Sequence, residues 1–278
     1  MPDSLSNFIN GQAVPPLSGR YLDNLDPATG AVYSRVPDSD AADVEAALAA
    51  AKSAFPAWSS TPAPDRSRIL LKLADLIDAN LDALAAAECR DSGKPITLAR
   101  AIEIPRAAAN FRFFAQAILN TREEIYHTQP GPVQADRAIN TVLRRPRGVA
   151  GCISPWNLPL YLFTWKIAPA LATGNTIVGK PSEMTPMTAS MLAQLAMQAG
   201  FPAGVLNIVH GRGQPAGAAI VSHPDVPTIT FTGSTAVGRW IGQTAGAMLK
   251  RVSLELGGKN PYIVFADADL PAALDTAA

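Results

Sequence analysis

The chain has 278 residues, 48% of them hydrophobic, and its 23 basic side chains are balanced by 23 acidic ones. That content can bury a substantial core in one large domain or two smaller ones. The charge balance argues against a nucleic-acid binder or a polybasic membrane protein, and the two well-separated cysteines, Cys89 and Cys152, offer neither a zinc spacing nor a disulfide framework.

In chain order, the opening stretch MPDSLSNFINGQ has no basic start and no apolar run, so no secretory leader is expected. Residues 1–38, rich in Pro, Gly, Asp and Asn, read as short strands with turns. Residues 39–55 combine a Ser/Asp start with an Ala-rich body, the pattern of a capped helix. Residues 64–93 carry an apolar stripe through Ile69, Leu70, Leu73, Leu76, Ile77, Leu81 and Leu84. That spacing predicts one helix ending at Gly93, and a third helix is expected over 97–119.

After residue 120 the texture changes. Residues 127–137 look turn-like, and 138–145 alternate apolar and polar positions. Joined through Pro146-Arg147 to the buried run 148–154, they suggest a hairpin or a strand leaving the main body. From there, strand-like runs at 148–154, 176–180, 205–209, 228–231, 252–256 and 262–265 alternate with helical stretches at 158–172, 187–199, 215–222 and 234–248. This alternation implies an α/β fold with a parallel sheet covered on both faces. The run 158–172 is broken by Pro159, Lys166 and Pro169, so it cannot span a bilayer. A soluble, cytoplasmic protein is the expectation.

Ligands of such sheets bind beyond the carboxyl ends of the strands. Four turns there carry unusual residues. SPWNLP holds Trp156 and Asn157, whose amide could donate to a developing oxyanion or simply satisfy a loop. In KPSE, Lys180 and Glu183 flank Ser182, either gripping ribose hydroxyls or capping the next helix. FTGSTAVG offers Gly233 and Ser234 at a helix start, suited to a phosphate or to close packing. ELGGK presents Glu255 as a candidate general base. Cys152, inside an apolar strand, reads as a small core residue.

Taken in order, FINGQ, DPATG (residues 26–30), SPWNLPLYLFTWKIAPALATGNTIVGKPSE and SLELGGKNPYIVFADADL make the chain resemble the aldehyde dehydrogenase superfamily over essentially its whole length. NFRFFA (110–115) and ISPWNLPLYLFTWK look most like its muconic semialdehyde dehydrogenases. The resemblance implies a Rossmann-like NAD-binding domain from residues 1–123 and 147–257, a protruding oligomerisation hairpin at 124–146 and the start of a catalytic domain at 258–278. It further implies NAD as cofactor, an aldehyde substrate, homo-dimers or tetramers, and no metal.

The resemblance assigns Asn157 to the oxyanion hole and Lys180 and Glu183, with Ser182 between them, to the adenosine ribose. Gly233, Ser234 and Trp156 would line the pyrophosphate, Leu256 and Gly257 would shape the pocket, and Lys166 would support the catalytic groups from behind or relay a proton. Glu255 would activate the water that hydrolyses a cysteine thioester. Only 23 residues follow Glu255, fewer than separate that glutamate from the family's cysteine, so the chain is expected to be an inactive fragment. A short paralogue that binds NAD or pairs with other subunits is the alternative. A semialdehyde with a distal carboxylate calls for an arginine, and Arg112 in NFRFFA is the candidate.

Overall fold

The computed structural model describes residues 4–129, 131 and 137–277. Two tight turns open the chain. β1 (Asn7–Ile9) and β2 (Gln12–Val14) pair across Asn10-Gly11, both with positive φ (52° and 76°), the twist a two-residue hairpin requires. β3 (Tyr21–Leu25) and β4 (Val32–Pro37) form a separate antiparallel pair around the DPATG turn.

The capped helix is present as α1 (Ala41–Ser60), starting and ending later than the expected 39–55, with Asp40 and Asp43 closing a reciprocal capping box. The long stripe that follows is two helices, α2 (Ala63–Ala79) and α3 (Leu81–Ser92), rather than one. They break at Asn80, whose amide donates to the Leu76 carbonyl and so competes with continued helix. Gly93 ends α3 in the left-handed conformation, φ 73°, as expected. The third helix runs through one turn, α4 (Ile96–Leu98), then a π-helical turn at Ala99–Glu103, into α5 (Ile104–Ala117).

A hairpin forms within residues 124–146, but 138–145 does not pair with the run 148–154 across Pro146-Arg147. β5 (Glu124–Thr128) pairs with β6 (Ala138–Val142), while the run after Pro146-Arg147 enters the main sheet as β7 (Val149–Ile153). The physical reason is burial: every residue of β7 is buried, whereas β6 is exposed along most of its length. Part of the turn-like segment 127–137, residues 130 and 132–136, lies outside the described residues.

Regular alternation follows: α6 (Pro159–Ala172), β8 (Thr176–Lys180), α7 (Met187–Ala199), β9 (Leu206–Ile208), α8 (Ala218–Ser222), β10 (Thr228–Gly233), α9 (Thr235–Ala247) and β11 (Arg251–Leu256). A terminal helix, α10, covers Leu270–Ala277. The expected strand at 262–265 is extended chain without a ladder, and Tyr262, Ile263, Val264 and Phe265 are exposed. Among the described strands none lies beside it, and a strand without a hydrogen-bonded neighbour does not hold.

The main sheet has the order β11-β10-β7-β8-β9-β1-β2, with the first five strands mutually parallel. Side chains alternate across it. Ala150 and Cys152 join Leu70, Phe111, Phe163 and Leu192 on one face; Val149 and Ile153 join Leu48, Ile220 and Ile241 on the other. Gly179 of β8 lets α6 approach, since a Cβ there would stand 2.6 Å from the buried Phe163 ring. No described helix is long and apolar enough to cross a membrane.

Candidate active site

Chain order reverses within the sheet. From β7 the chain builds outward to β8 and β9, then returns to β7's other side for β10 and β11. Register then aligns the strand ends: Ile153 opposes Lys180 and Phe231, Thr232 opposes Glu255, and Gly233 opposes Leu256. SPWNLP, KPSE, GSTAVG and ELGG therefore gather at one edge, around the switch point where an open α/β sheet leaves a crevice.

On the β8 side, Lys180 is 3% exposed, and its ammonium donates to the carbonyls of Gly211 (2.6 Å) and Pro181 (3.0 Å) and to Glu183 Oε2 (3.3 Å). Burial pulls its pKa down, and Glu183 opposes the shift. Ser182 does not cap the next helix: its Oγ accepts from the Met184 N–H (3.2 Å), and α7 starts later without a side-chain cap. His210, unremarked in the sequence, is buried beside this group, with Nε2 2.9 Å from Ser190 Oγ and no partner for Nδ1. Burial, helped by the Lys180 charge, pushes its pKa down to about 3 and keeps it neutral.

On the β10 side, Ser234 caps α9 by accepting from the Val237 N–H (3.3 Å). Close packing is also real there, because a Cβ on Gly238 would lie 2.3 Å from Leu256 Cδ2. Gly257 donates to the Gly233 carbonyl (3.2 Å) and accepts from Thr235 Oγ1 (3.3 Å). A Cβ on Gly257 would meet nothing within 4 Å, so the backbone borders open space. Trp156, 62% exposed, stands at the same edge.

Glu255 is exposed and shares a cavity of about 890 Å³ with Lys166, Thr230, Ser253 and Trp165. Lys166 reaches it from α6, 3% exposed, donating to Thr232 Oγ1 at 2.5 Å. Burial lowers the Lys166 pKa, partly offset by the negative charge of Glu255. Cys152 is buried in the core as expected, its thiol pushed up to about 12 by burial, and burial also raises Cys89.

Arg112 is not brought to this edge. Its guanidinium is held by Asp75 and Asp78 of α2, both at 2.7 Å. Arg106, on the same helix, lies over the Tyr161 ring and donates to its hydroxyl (3.0 Å). Tyr161 is in the first turn of α6, directly after the Asn157 loop. The i to i+6 offset of the two arginines, which turns them to different faces of α5, was the available signal.

Asn157 presents an exposed side chain, but its carbonyl accepts from Lys94 Nζ (3.1 Å). Lys94 pairs with Glu103 and lies 4.0 Å from Glu88, and both carboxyls are buried. Nothing in the sequence spacing joins these three.

The fold is α/β, with charged, small and hydroxyl residues assembled at the carboxyl edge of its parallel strands, the edge where open sheets of this class bind ligands. The comparisons with known proteins are specific. The aldehyde dehydrogenase family matches residues 14–278. A 2-aminomuconic semialdehyde dehydrogenase of Danio rerio is 56% identical over 274 residues, covering 98% of this chain and 54% of that protein. A 2-hydroxymuconic semialdehyde dehydrogenase of Pseudomonas sp. (strain CF600) is 48% identical over 273 residues, covering 98% and 56%. An aldehyde dehydrogenase of Bacillus cereus, solved as an NAD+ complex, superposes with a TM-score of 0.91 at 40% identity, covering 98% of this chain and 55% of that one. The chain belongs to the aldehyde dehydrogenase family, and it spans about half the length of the curated relatives it matches.

The buried acid cluster carries a pH prediction. Burial, with a hydrogen bond to Glu103, pushes Glu88 up from 4.5 to about 8 against the opposing charge of Lys94. The folded protein thus holds a proton that the unfolded chain has released. The stabilisation is complete below 4.5 and is lost as pH rises through about 8. Unfolding free energies from urea titrations across that window should fall with rising pH, by up to ~1.4 kcal/mol per unit, and Glu88→Gln should flatten this limb. An identical slope in wild type and variant would contradict the assignment.

Proposed function

We propose that this chain holds NAD at the carboxyl edge of its sheet and serves as the cofactor-binding part of an enzyme that oxidises a carboxylate-bearing semialdehyde to the acid. The gathering of four turn motifs around the β7–β10 reversal carries the reading. The names of the muconic semialdehyde relatives support the substrate class, and the Bacillus cereus NAD+ complex supports the cofactor. The residues fit a dinucleotide: the α9 N-terminus and the open backbone at Gly257 suit the pyrophosphate beside Trp156, Gly233, Ser234 and Leu256. Lys180 and Glu183, set by the Ser182 turn, suit ribose hydroxyls.

NAD, when bound, supplies the hydride acceptor. The protein's own part is positioning and proton transfer. Asn157 donates its side-chain N–H₂ to the oxygen that gains negative charge at the aldehyde carbon. Glu255 takes a proton from the hydrolytic water as its oxygen adds to the acyl carbon. Lys166, buried and hydrogen-bonded to the Thr232 that opposes Glu255, sets an amine close to the carboxylate. The family chemistry needs a thiolate, and the environments of Cys89 and Cys152 disfavour one at either. A chain that binds NAD and pairs with other subunits is the second reading.

The domain reading follows. Residues 1–123 and 147–257 form the NAD-binding domain, and 258–278 begin a catalytic one. The hairpin 124–146 serves assembly into a dimer or tetramer: an isolated pair of strands is marginal by itself, and Ile125, Tyr126, Ile139 and Val142 are exposed on it.

Two measurements test this function. Glu183 should repel a 2′-phosphate, so Glu183→Gln should improve binding of NADP relative to NAD by on the order of tenfold, about 1.4 kcal/mol, in calorimetric titration; an unchanged ratio removes Glu183 from the ribose site. Since α2 holds Arg112, the carboxylate grip passes to Arg106. In the active enzyme, Arg106→Ala should raise KM for acidic semialdehydes far more than for neutral aldehydes, and Arg112→Ala should not. The reverse pattern would restore Arg112.

A further inference from the structure

The Asn157 loop is gripped from outside by a charged cluster that the chemistry above does not use. Gly93, φ 73°, turns the chain out of α3 and releases Lys94 toward the loop. A π-helical turn at Ala99–Glu103 then delivers Glu103, buried, to the ammonium of Lys94. Helical turns of this kind recur at functional sites because they shift the direction of one side chain without ending the helix.

Glu88 completes the group. Its Oε1 accepts from the Leu160 N–H (3.4 Å) and its Oε2 from Thr188 Oγ1 (2.8 Å), tying the start of α6 to α7. Lys94 Nζ, 10% exposed in its side chain, thus faces three acceptors: Glu103, Glu88 at 4.0 Å and the carbonyl of Asn157 at 3.1 Å. Burying an ammonium, the Glu103 carboxylate and the Glu88 carboxyl, which keeps its proton up to about pH 8, is a poor way to gain stability, since apolar groups of similar volume do as well or better. What apolar groups cannot do is hold a carbonyl in one direction.

We propose that Lys94 is a positioning residue for the reaction assigned above: aimed by Glu103 and Glu88, its ammonium fixes the Asn157 carbonyl and so sets where the Asn157 side chain presents its N–H₂. The inference rests on the reading of Asn157 as the oxyanion donor. A donor displaced by about 1 Å loses on the order of a hundredfold in rate, so one hydrogen bond to the backbone of the donor residue has leverage that its own strength does not suggest.

The test pairs Lys94→Met with Glu103→Gln, which removes ammonium and partner carboxylate together and leaves no orphaned charge from the pair. Lys94→Gln, which keeps an uncharged donor, serves if the double variant does not fold, and Lys94→Arg is the conservative rescue. Amide hydrogen exchange followed by mass spectrometry on this chain should show residues 154–160 exchanging at least about tenfold faster in the double variant, with residues 180–183 unchanged and Lys94→Arg restoring most protection. In the active enzyme, kcat should fall roughly ten- to hundredfold with KM for NAD unchanged. Unchanged protection of 154–160 overturns the proposal. Asn157→Ala separates the two layers. If it abolishes turnover while the double variant keeps both kcat and protection, only the role of Lys94 fails. If Asn157→Ala leaves kcat intact, the oxyanion reading falls and takes the proposal with it.

Discussion

Everything at the site depends on strand direction. Five strands running the same way place five carboxyl ends on one edge, and backbone N–H groups at the helix starts that follow point to the same side. The return of the chain across β7 to place β10 sets the Asn157 loop and the Ser234 cap after adjacent strands. Register does the rest: because Thr232 opposes Glu255, Lys166 hydrogen-bonds the threonine while lying close enough to feel the charge of the carboxylate. A slip of one residue in β11 would turn Glu255 to the other face of the sheet.

Lys180 and Lys166 are buried and the Lys94 side chain is 10% exposed, and the ammonium of each is answered by oxygen atoms rather than by a simple ion pair. Lys180 has two carbonyls and Glu183, Lys166 a threonine hydroxyl, and Lys94 a carbonyl and two carboxyls. Hydrogen bonds to oxygen offset the desolvation that each cation suffers, and they lock its direction. The result is a set of ammonium groups whose directions are fixed by the protein's own oxygens, which holds the loops at this edge in place. His210, kept neutral behind Lys180, adds volume and a hydrogen bond to Ser190 without adding charge.

Much of this was legible in the residues. Continuous apolar runs such as 148–154 announce strands buried on both faces, and the turn motifs after them announce the edge. What could not be read depends on partners distant in sequence. The strand-like run at 262–265 has the right composition but no neighbouring strand. The stripe over 64–93 gives no sign that the Asn80 amide would turn back on Leu76. Residues 138–145 alternate convincingly, yet which run they pair with is decided by burial of β7. Arg112 looked available until α2 brought Asp75 and Asp78 beneath it, and Lys94 meets Asn157 across 63 residues.

The most direct test of the central claim is amide hydrogen exchange of this chain with and without NAD. If the carboxyl edge is the dinucleotide site, protection should rise at 154–157, 180–183, 210–213 and 233–238, around the reversal, and stay unchanged at the β5–β6 hairpin and in α5. Protection confined to the hairpin, or none at saturating NAD, would contradict it.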